Sequence, residues 1–163
     1  IALKLSPFFT SFAHAARKFD AAGVDALVLF NRFLQPDIDL DRMSLNSSMQ
    51  LSQPSEMLLS LRWIAILHGR VKADLAASTG VHDAAAVVKQ LLAGAQVVQL
   101  AATLVKNGIS HLATLRSGLD EWMERGRYSR VEDFRGTLSQ KQAKDPRAFE
   151  RAQYVHLILS QNG

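Results

Sequence analysis

The chain has 163 residues, 48% of them hydrophobic and 21% charged, which is enough for one apolar core. With no cysteine it carries no disulfide framework, thiolate nucleophile or cysteine-ligated metal, and nothing in it resembles a signal peptide or a transmembrane run. The formal charge of +4, from 19 basic and 15 acidic residues that are mostly interleaved, is weak evidence for nucleic acid and suits a small anionic ligand equally well. A cytoplasmic location with no membrane and no nucleic-acid partner is expected.

The sequence begins at Ile1, already inside a strand pattern, and residues 1–163 are read as one domain segment of a larger protein. Residues 1–6 alternate so that Leu3 and Leu5 share one face while Lys4 lies on the other, and Pro7 ends the strand. Phe12, Ala15, Ala16 and Phe19 then stripe a helix that Thr10 or Ser11 caps and Gly23 stops. Residues 25–32 are nearly all apolar until Asn31 and Arg32, as in a strand covered on both faces of a parallel sheet. The connection over residues 33–53 is long for a βα turn, which suggests a functional loop or an extra hairpin. Asp37, Asp39 and Asp41 alternate within it, but the glycine and distal glutamate of a calcium loop are missing, so a solvated acidic turn is the reading.

Pro54 and Glu56 open a helix that buries Met57, Leu61, Ile64 and Ala65 and runs to about His68. Residues 72–82 read as a strand, a small-residue loop at Ser78-Thr79-Gly80 and the start of a helix whose positive end aims at that loop. That helix stripes Ala84, Val87, Val88, Leu91 and Leu92 and stops at Gly94, repeating the Ala22-Gly23 stop. A strand over 96–101 follows, then another small-residue loop at Ala101-Ala102-Thr103 and a helix. Leu112, Leu115, Leu119, Trp122 and Met123 stripe a further helix, and a last helix is expected around 149–159. The basic residues Arg125, Arg127, Arg130 and Arg135 alternate with acids and lack an aromatic platform, which reads as a solvated surface. The five histidines stand apart in sequence and form no readable triad or metal motif.

Four strand-then-helix units make an α/β fold, half of an eight-stranded TIM (β/α)8 barrel whose usual length is about 250 residues. Phosphate groups bind such barrels at the loops after the last two strands, where Ser78-Thr79-Gly80 and Ala101-Ala102-Thr103 fall if this is the C-terminal half.

The stretches Leu3-Lys4-Leu5-Ser6-Pro7, Leu29-Phe30-Asn31-Arg32, Ala77-Ser78-Thr79-Gly80-Val81 and Gln99-Leu100-Ala101-Ala102-Thr103-Leu104, in this order and at these separations, resemble the C-terminal half of class 1 dihydroorotate dehydrogenase-like flavoproteins. The resemblance implies an FMN-dependent oxidoreductase of pyrimidine metabolism, a dehydrogenase acting on CH–CH groups. Lys4 would lie against the flavin and Asn31 would help hold a pyrimidine-like substrate. Ser78, Thr79, Gly80, Ala101, Ala102 and Thr103 would hold the FMN phosphate. The catalytic base is a cysteine or serine expected upstream of Ile1, so no catalytic residue is assigned in this segment, and no metal is expected. The expected partners are the upstream half of the same protein, another chain completing the barrel, or a second copy.

The sequence departs from the family at both phosphate loops, where Thr79-Gly80 and Ala101-Ala102 stand in place of Gly-Gly and Gly-Thr pairs, and at Leu51-Ser52-Gln53, which replaces a glycine-rich loop. These departures carry the alternative reading, a non-redox barrel that binds a phosphate or nucleotide at a degenerate flavin site.

Overall fold

The computed structural model describes residues 1–33, 35–46 and 50–149. Strands β1 (Ala2–Leu5) and β2 (Ala26–Leu29) flank helix α1 (Phe12–Ala21), and β2 is followed by an antiparallel hairpin of β3 (Asp37–Asp39) and β4 (Ser44–Asn46). A single 3-10 turn (Pro54–Glu56) leads into α2 (Met57–Leu67), then come β5 (Asp74–Ala77), α3 (Ala84–Ala93), β6 (Val97–Val98), α4 (Ala102–Asn107) and α5 (His111–Gly126).

The sheet order is β1-β2-β5-β6, and every pairing in it is parallel. Consecutive strands are neighbours, the wall of a TIM barrel rather than the reversed order of a doubly wound sheet. Because side chains alternate along a strand, the register sorts the sheet into two faces. Leu5, Leu29, Ala77 and Val98 form one row, and they pack in one core cluster with Leu27, Leu75 and the helix residues Phe12, Ala16, Ile64 and Leu67. Lys4, Val28, Ala76 and Val97 form the adjacent row on the opposite face, the face that a closed barrel turns inward.

The helices follow from their sequences. Phe12 and Ala16 bury the α1 stripe, and Met57, Ile64 and Ala65 bury that of α2. The repeated stop is realised at Gly23 and Gly94, whose φ values of +87° and +120° favour glycine. The buried face of α3 is Ala86, Val88, Gln90, Leu91 and Ala93, rotated from the expected stripe because α2 and α5 both pack against it. Leu115 alone of the α5 stripe is fully buried. The strands are shorter than the sequence pattern suggests, since beyond their ends only single ladder bonds continue. The expected last helix lies outside the described residues apart from the short 3-10 turn Pro146–Phe149.

Candidate functional site

One further ladder bond joins each pair of neighbouring strands before the loops depart. The N–H groups of Asn31, Ser78 and Gln99 donate to the carbonyls of Leu5, Leu29 and Ala77 at 2.7, 2.7 and 2.8 Å. These bonds set the loops after β2, β5 and β6 at a common level above the Lys4 row. The loops enclose a cavity of about 680 Å³ lined by Lys4, Asn31, Ser78, Thr79, Gly80, Ala101 and Ala102. Its size is that of a small-molecule site, and it stands at the C-terminal end of the strands, where TIM-barrel sites are built.

Among the described residues neither the Lys4 ammonium nor the Asn31 amide has a side-chain partner, so both remain available to a ligand. Thr103, the remaining residue singled out from the resemblance, does not line the cavity. It is fully buried, and its hydroxyl donates to the His82 carbonyl at 3.2 Å.

The Ser78-Thr79-Gly80 loop turns through two successive left-handed residues, Thr79 at φ +81° and Gly80 at φ +74°. The Thr79 hydroxyl donates to the Phe30 carbonyl at 3.3 Å. Gly80 is demanded by close approach of backbone, because a Cβ there would stand 2.3 Å from the Met57 nitrogen at the start of α2. Its own N–H donates to the Ser52 hydroxyl at 3.3 Å, so this amide faces the chain rather than the cavity.

The N-terminus of α3 is capped by the chain itself and does not begin at this loop. Residues 81–83 intervene, Val81 is buried, and the Asp83 carboxylate caps the helix by accepting from the Ala86 N–H at 2.7 Å. At the second loop, Ala101 is the residue before α4 and supplies no side-chain cap.

Sequence reasoning missed three groups. Ser52 is buried, and its oxygen, besides receiving the Gly80 N–H, lies 3.4 Å from His82 Nε2. Arg32 Nε donates to Glu56 Oε1 at 2.8 Å and an Arg32 Nη donates to the Gln50 carbonyl, while Glu56 Oε2 accepts from the Gln53 N–H at 2.5 Å. Burial pushes the Glu56 carboxyl up, but the hydrogen bonds from Arg32 and Gln53 and the charges of Arg32 and His82 outweigh it and hold the group below its usual value. The available signal was the Gln53-Pro54-Ser55-Glu56 run, a capping-box pattern that names Glu56. Nothing local names Arg32 as its partner.

The acidic run of the hairpin is a turn device. Asp39 Oδ1 accepts from the Asp41 and Arg42 amides at 3.1 and 3.0 Å, and no cluster of three or more metal-ligating side chains occurs among the described residues. Two histidines far apart in sequence do meet, His111 Nε2 lying 3.3 Å from the His82 carbonyl. Arg130 of the C-terminal basic run pairs with Asp133 in solvent, whereas Arg135, which pairs with Glu132, is largely covered with its Nε buried and departs from the solvated-surface reading.

The residues present fit a planar heterocycle bearing a phosphate. An unpaired cation stands on the inner face, an amide that both donates and accepts stands beside it, and two small-residue loops open on the same cavity.

No protein-family model matches the chain. It is 27% identical over 143 residues to the dihydroorotate dehydrogenase B (NAD(+)) catalytic subunit of Lachnoclostridium phytofermentans, a match covering 85% of this chain and 47% of that protein. It is 30% identical over 128 residues to the same subunit from Trichlorobacter lovleyi, covering 76% of this chain and 42% of that one. The chain therefore spans less than half the length of these curated relatives. Crystal structures of Eimeria tenella DHODH, one in complex with ferulenol and one ligand-free, superpose with TM-scores of 0.65 and 0.67 at 17% identity, over 83% of this chain and 37% and 38% of theirs. The fold is that of part of a dihydroorotate dehydrogenase barrel, and the sequence resembles part of the B-type catalytic subunit.

Proposed function

We propose that this chain is the cofactor-bearing part of an FMN-dependent oxidoreductase that oxidises a CH–CH bond in a dihydropyrimidine-like compound. The observation that carries the reading is the convergence of Lys4, Asn31 and the loops at Ser78–Gly80 and Ala101–Ala102 on one cavity at the C-terminal ends of four parallel strands. The curated relatives support it through their dihydroorotate dehydrogenase names.

FMN, when bound, supplies the two-electron acceptor. The Lys4 ammonium, on the inner row of the sheet, offers positive charge where electron density accumulates on reduction. The Asn31 side chain, at the mouth of β2, can donate to one edge atom of a lactam ring and accept from another, which orients the substrate over the sheet. The amides at Ala101 and Ala102 open α4 and are the donors for the phosphate, with Ser78 and Thr79 beside them. The proton acceptor comes from outside this chain, as does the rest of the barrel. Among the described residues the sheet leaves β1 and β6 as its edge strands, and in this reading the barrel is closed by the upstream half of the same protein, another chain or a second copy. The whole works in the cytoplasm. Among the described residues no helix is long and apolar enough to cross a membrane.

The test is an FMN titration of the chain joined with its upstream half, read by the visible flavin spectrum and by quenching of flavin fluorescence. Stoichiometric binding that weakens in Lys4→Ala supports the proposal. Binding of inorganic phosphate or a nucleotide with no flavin bound overturns it in favour of a non-redox barrel at the same loops.

A further inference from the structure

We infer that His82 is a positioning residue of the ligand cavity: it ties the loop at Ser78–Gly80 to the loop at Ala101–Thr103 and so sets the spacing of the two walls between which the ligand's phosphate is held. This rests on the site reading above and adds to it the residue that acts from behind the wall.

His82 does not line the cavity. It follows the first loop closely in the chain, and three other segments reach it. Its ring Nε2 lies 3.4 Å from Ser52 Oγ, and its carbonyl accepts from the Thr103 hydroxyl at 3.2 Å and faces His111 Nε2 at 3.3 Å. The other partners of these hydroxyls leave their hydrogens for His82. Ser52 Oγ accepts the Gly80 N–H at 3.3 Å and keeps a hydrogen to give to Nε2, while Thr103 Oγ1 accepts from Asn107 Nδ2 at 3.3 Å and gives its own to the carbonyl. Since Ser52, Gly80, Ala101 and Ala102 do line the cavity, the bonds that meet at this one residue reach both loops and the entry into α2.

The first loop needs such a tie. Thr79, at φ +81°, holds a conformation that a residue with a Cβ keeps only under constraint, and the constraints are its hydroxyl bond to the Phe30 carbonyl and the Gly80 N–H bond to Ser52. Ser52 is a fixed point, because it is buried and the turn that follows it is pinned by Glu56, which accepts from the Gln53 N–H and pairs with Arg32. On the far side Thr103 is fully buried, so its hydroxyl has only protein to bond. Without the His82 bonds each loop is anchored on its own side and the gap between them is free to vary. A phosphate that must meet donors on both loops at about 3 Å depends on that gap. A ring seated over the Lys4 row does not.

The experiment measures binding of FMN, riboflavin and inorganic phosphate by calorimetry to the chain joined with its upstream half, in the parent, His82→Leu, Ser52→Ala, Thr103→Val, Thr103→Ser and the His82→Leu/Ser52→Ala double variant. The expectation is that His82→Leu and Thr103→Val each weaken FMN and phosphate at least about fivefold while riboflavin affinity shifts by less than about twofold. Thr103→Ser should restore the parent values, and His82→Leu should have no further effect once Ser52 is alanine. Circular dichroism melts check that each variant is folded at the titration temperature, and the isosteric Thr103→Val decides where His82→Leu does not fold. If the parent binds no riboflavin, the Thr103→Ser rescue and the Ser52 cycle decide. Equal losses for FMN and riboflavin, or additive effects of His82→Leu and Ser52→Ala, overturn the inference. FMN binding that ignores these substitutions rejects the tie and keeps the flavin reading. Phosphate binding that His82→Leu weakens, in a parent that binds no flavin, keeps the tie and rejects the flavin reading.

Discussion

At the N-terminal end of the parallel sheet the backbone is stitched to its surroundings, while at the C-terminal end donors are left open. Below the strands, Asp20 Oδ1 accepts from the Lys72 and Ala73 amides at 2.8 Å each, and Gln96 Oε1 accepts from the Leu75 amide at 3.0 Å. The segment 134–140 crosses the ends of α2 and α3, where the Gly136, Leu138 and Gln140 amides donate to the carbonyls of Leu91, Leu92 and Ala65. These are last-turn carbonyls that a helix cannot satisfy itself. His68 is clamped there between two glycines, since a Cβ at Gly94 or Gly136 would come within 2.4 or 2.1 Å of its ring. Above the strands, Lys4 and Asn31 have no side-chain partner among the described residues and stand around a cavity. One end of the sheet is closed by the fold and the other surrounds a cavity, the division that TIM barrels show between bottom and top.

The largest effects should come from the glycines that anchor each end. Gly136→Ala and Gly80→Ala both put a Cβ into occupied space at positive φ, 2.1 Å from His68 Nε2 and 2.3 Å from the Met57 nitrogen. Each is expected to cost about 3 kcal/mol or more in denaturant unfolding. The ends then part company. The obstacle at Gly136 is a side chain, so a His68→Ala background should relieve much of the loss in a double-mutant cycle, whereas the obstacle at Gly80 is backbone and has no such rescue. Additive costs for Gly136→Ala and His68→Ala would break the clamp description.

A middle-sized effect separates structural from ligand-facing polar groups. Asp20→Ala strands two amides and should cost about 2 kcal/mol. Lys4→Ala removes an exposed side chain and should stay within about 0.5 kcal/mol, while lowering the potential of bound flavin by roughly 30 mV for each 1.4 kcal/mol of lost preference. Equal destabilisation by the two substitutions, or an unchanged potential in Lys4→Ala, would erase the distinction between the ends.

The smallest effect is a pH dependence confined to the closed end. Burial lowers the His68 pKa, a hydrogen bond with the Gly94 backbone opposes this, and the charges of Arg135 and Lys141 lower it further. With the folded value below the unfolded one, the unfolded chain binds more protons as pH falls. Stability is therefore full above about pH 6.5 and declines as pH drops below it toward the folded value. Melting temperatures from pH 7.5 to 5 should show this decline in the parent and a weaker one in His68→Gln; identical profiles would remove His68 as its source.

Periodicity and punctuation were enough to read four βα units, the Lys4 alternation and both glycine stops, because these depend on neighbours within a few residues. The lateral row Lys4–Val28–Ala76–Val97, the Arg32–Glu56 pair and the seat of Gly80 against Met57 join residues tens of positions apart, and no local pattern encodes such distances. The small-residue loop at Ser78–Gly80 was legible as a loop, but its amide is committed to Ser52, whose place is set by the entry into α2. The sequence by itself determined where the chain extends, turns and stops, since backbone propensity and side-chain alternation are local. Only the tertiary structure decided which polar groups are consumed by the fold and which stay free for a ligand, because satisfaction of a hydrogen bond depends on what packing brings within about 3 Å of it.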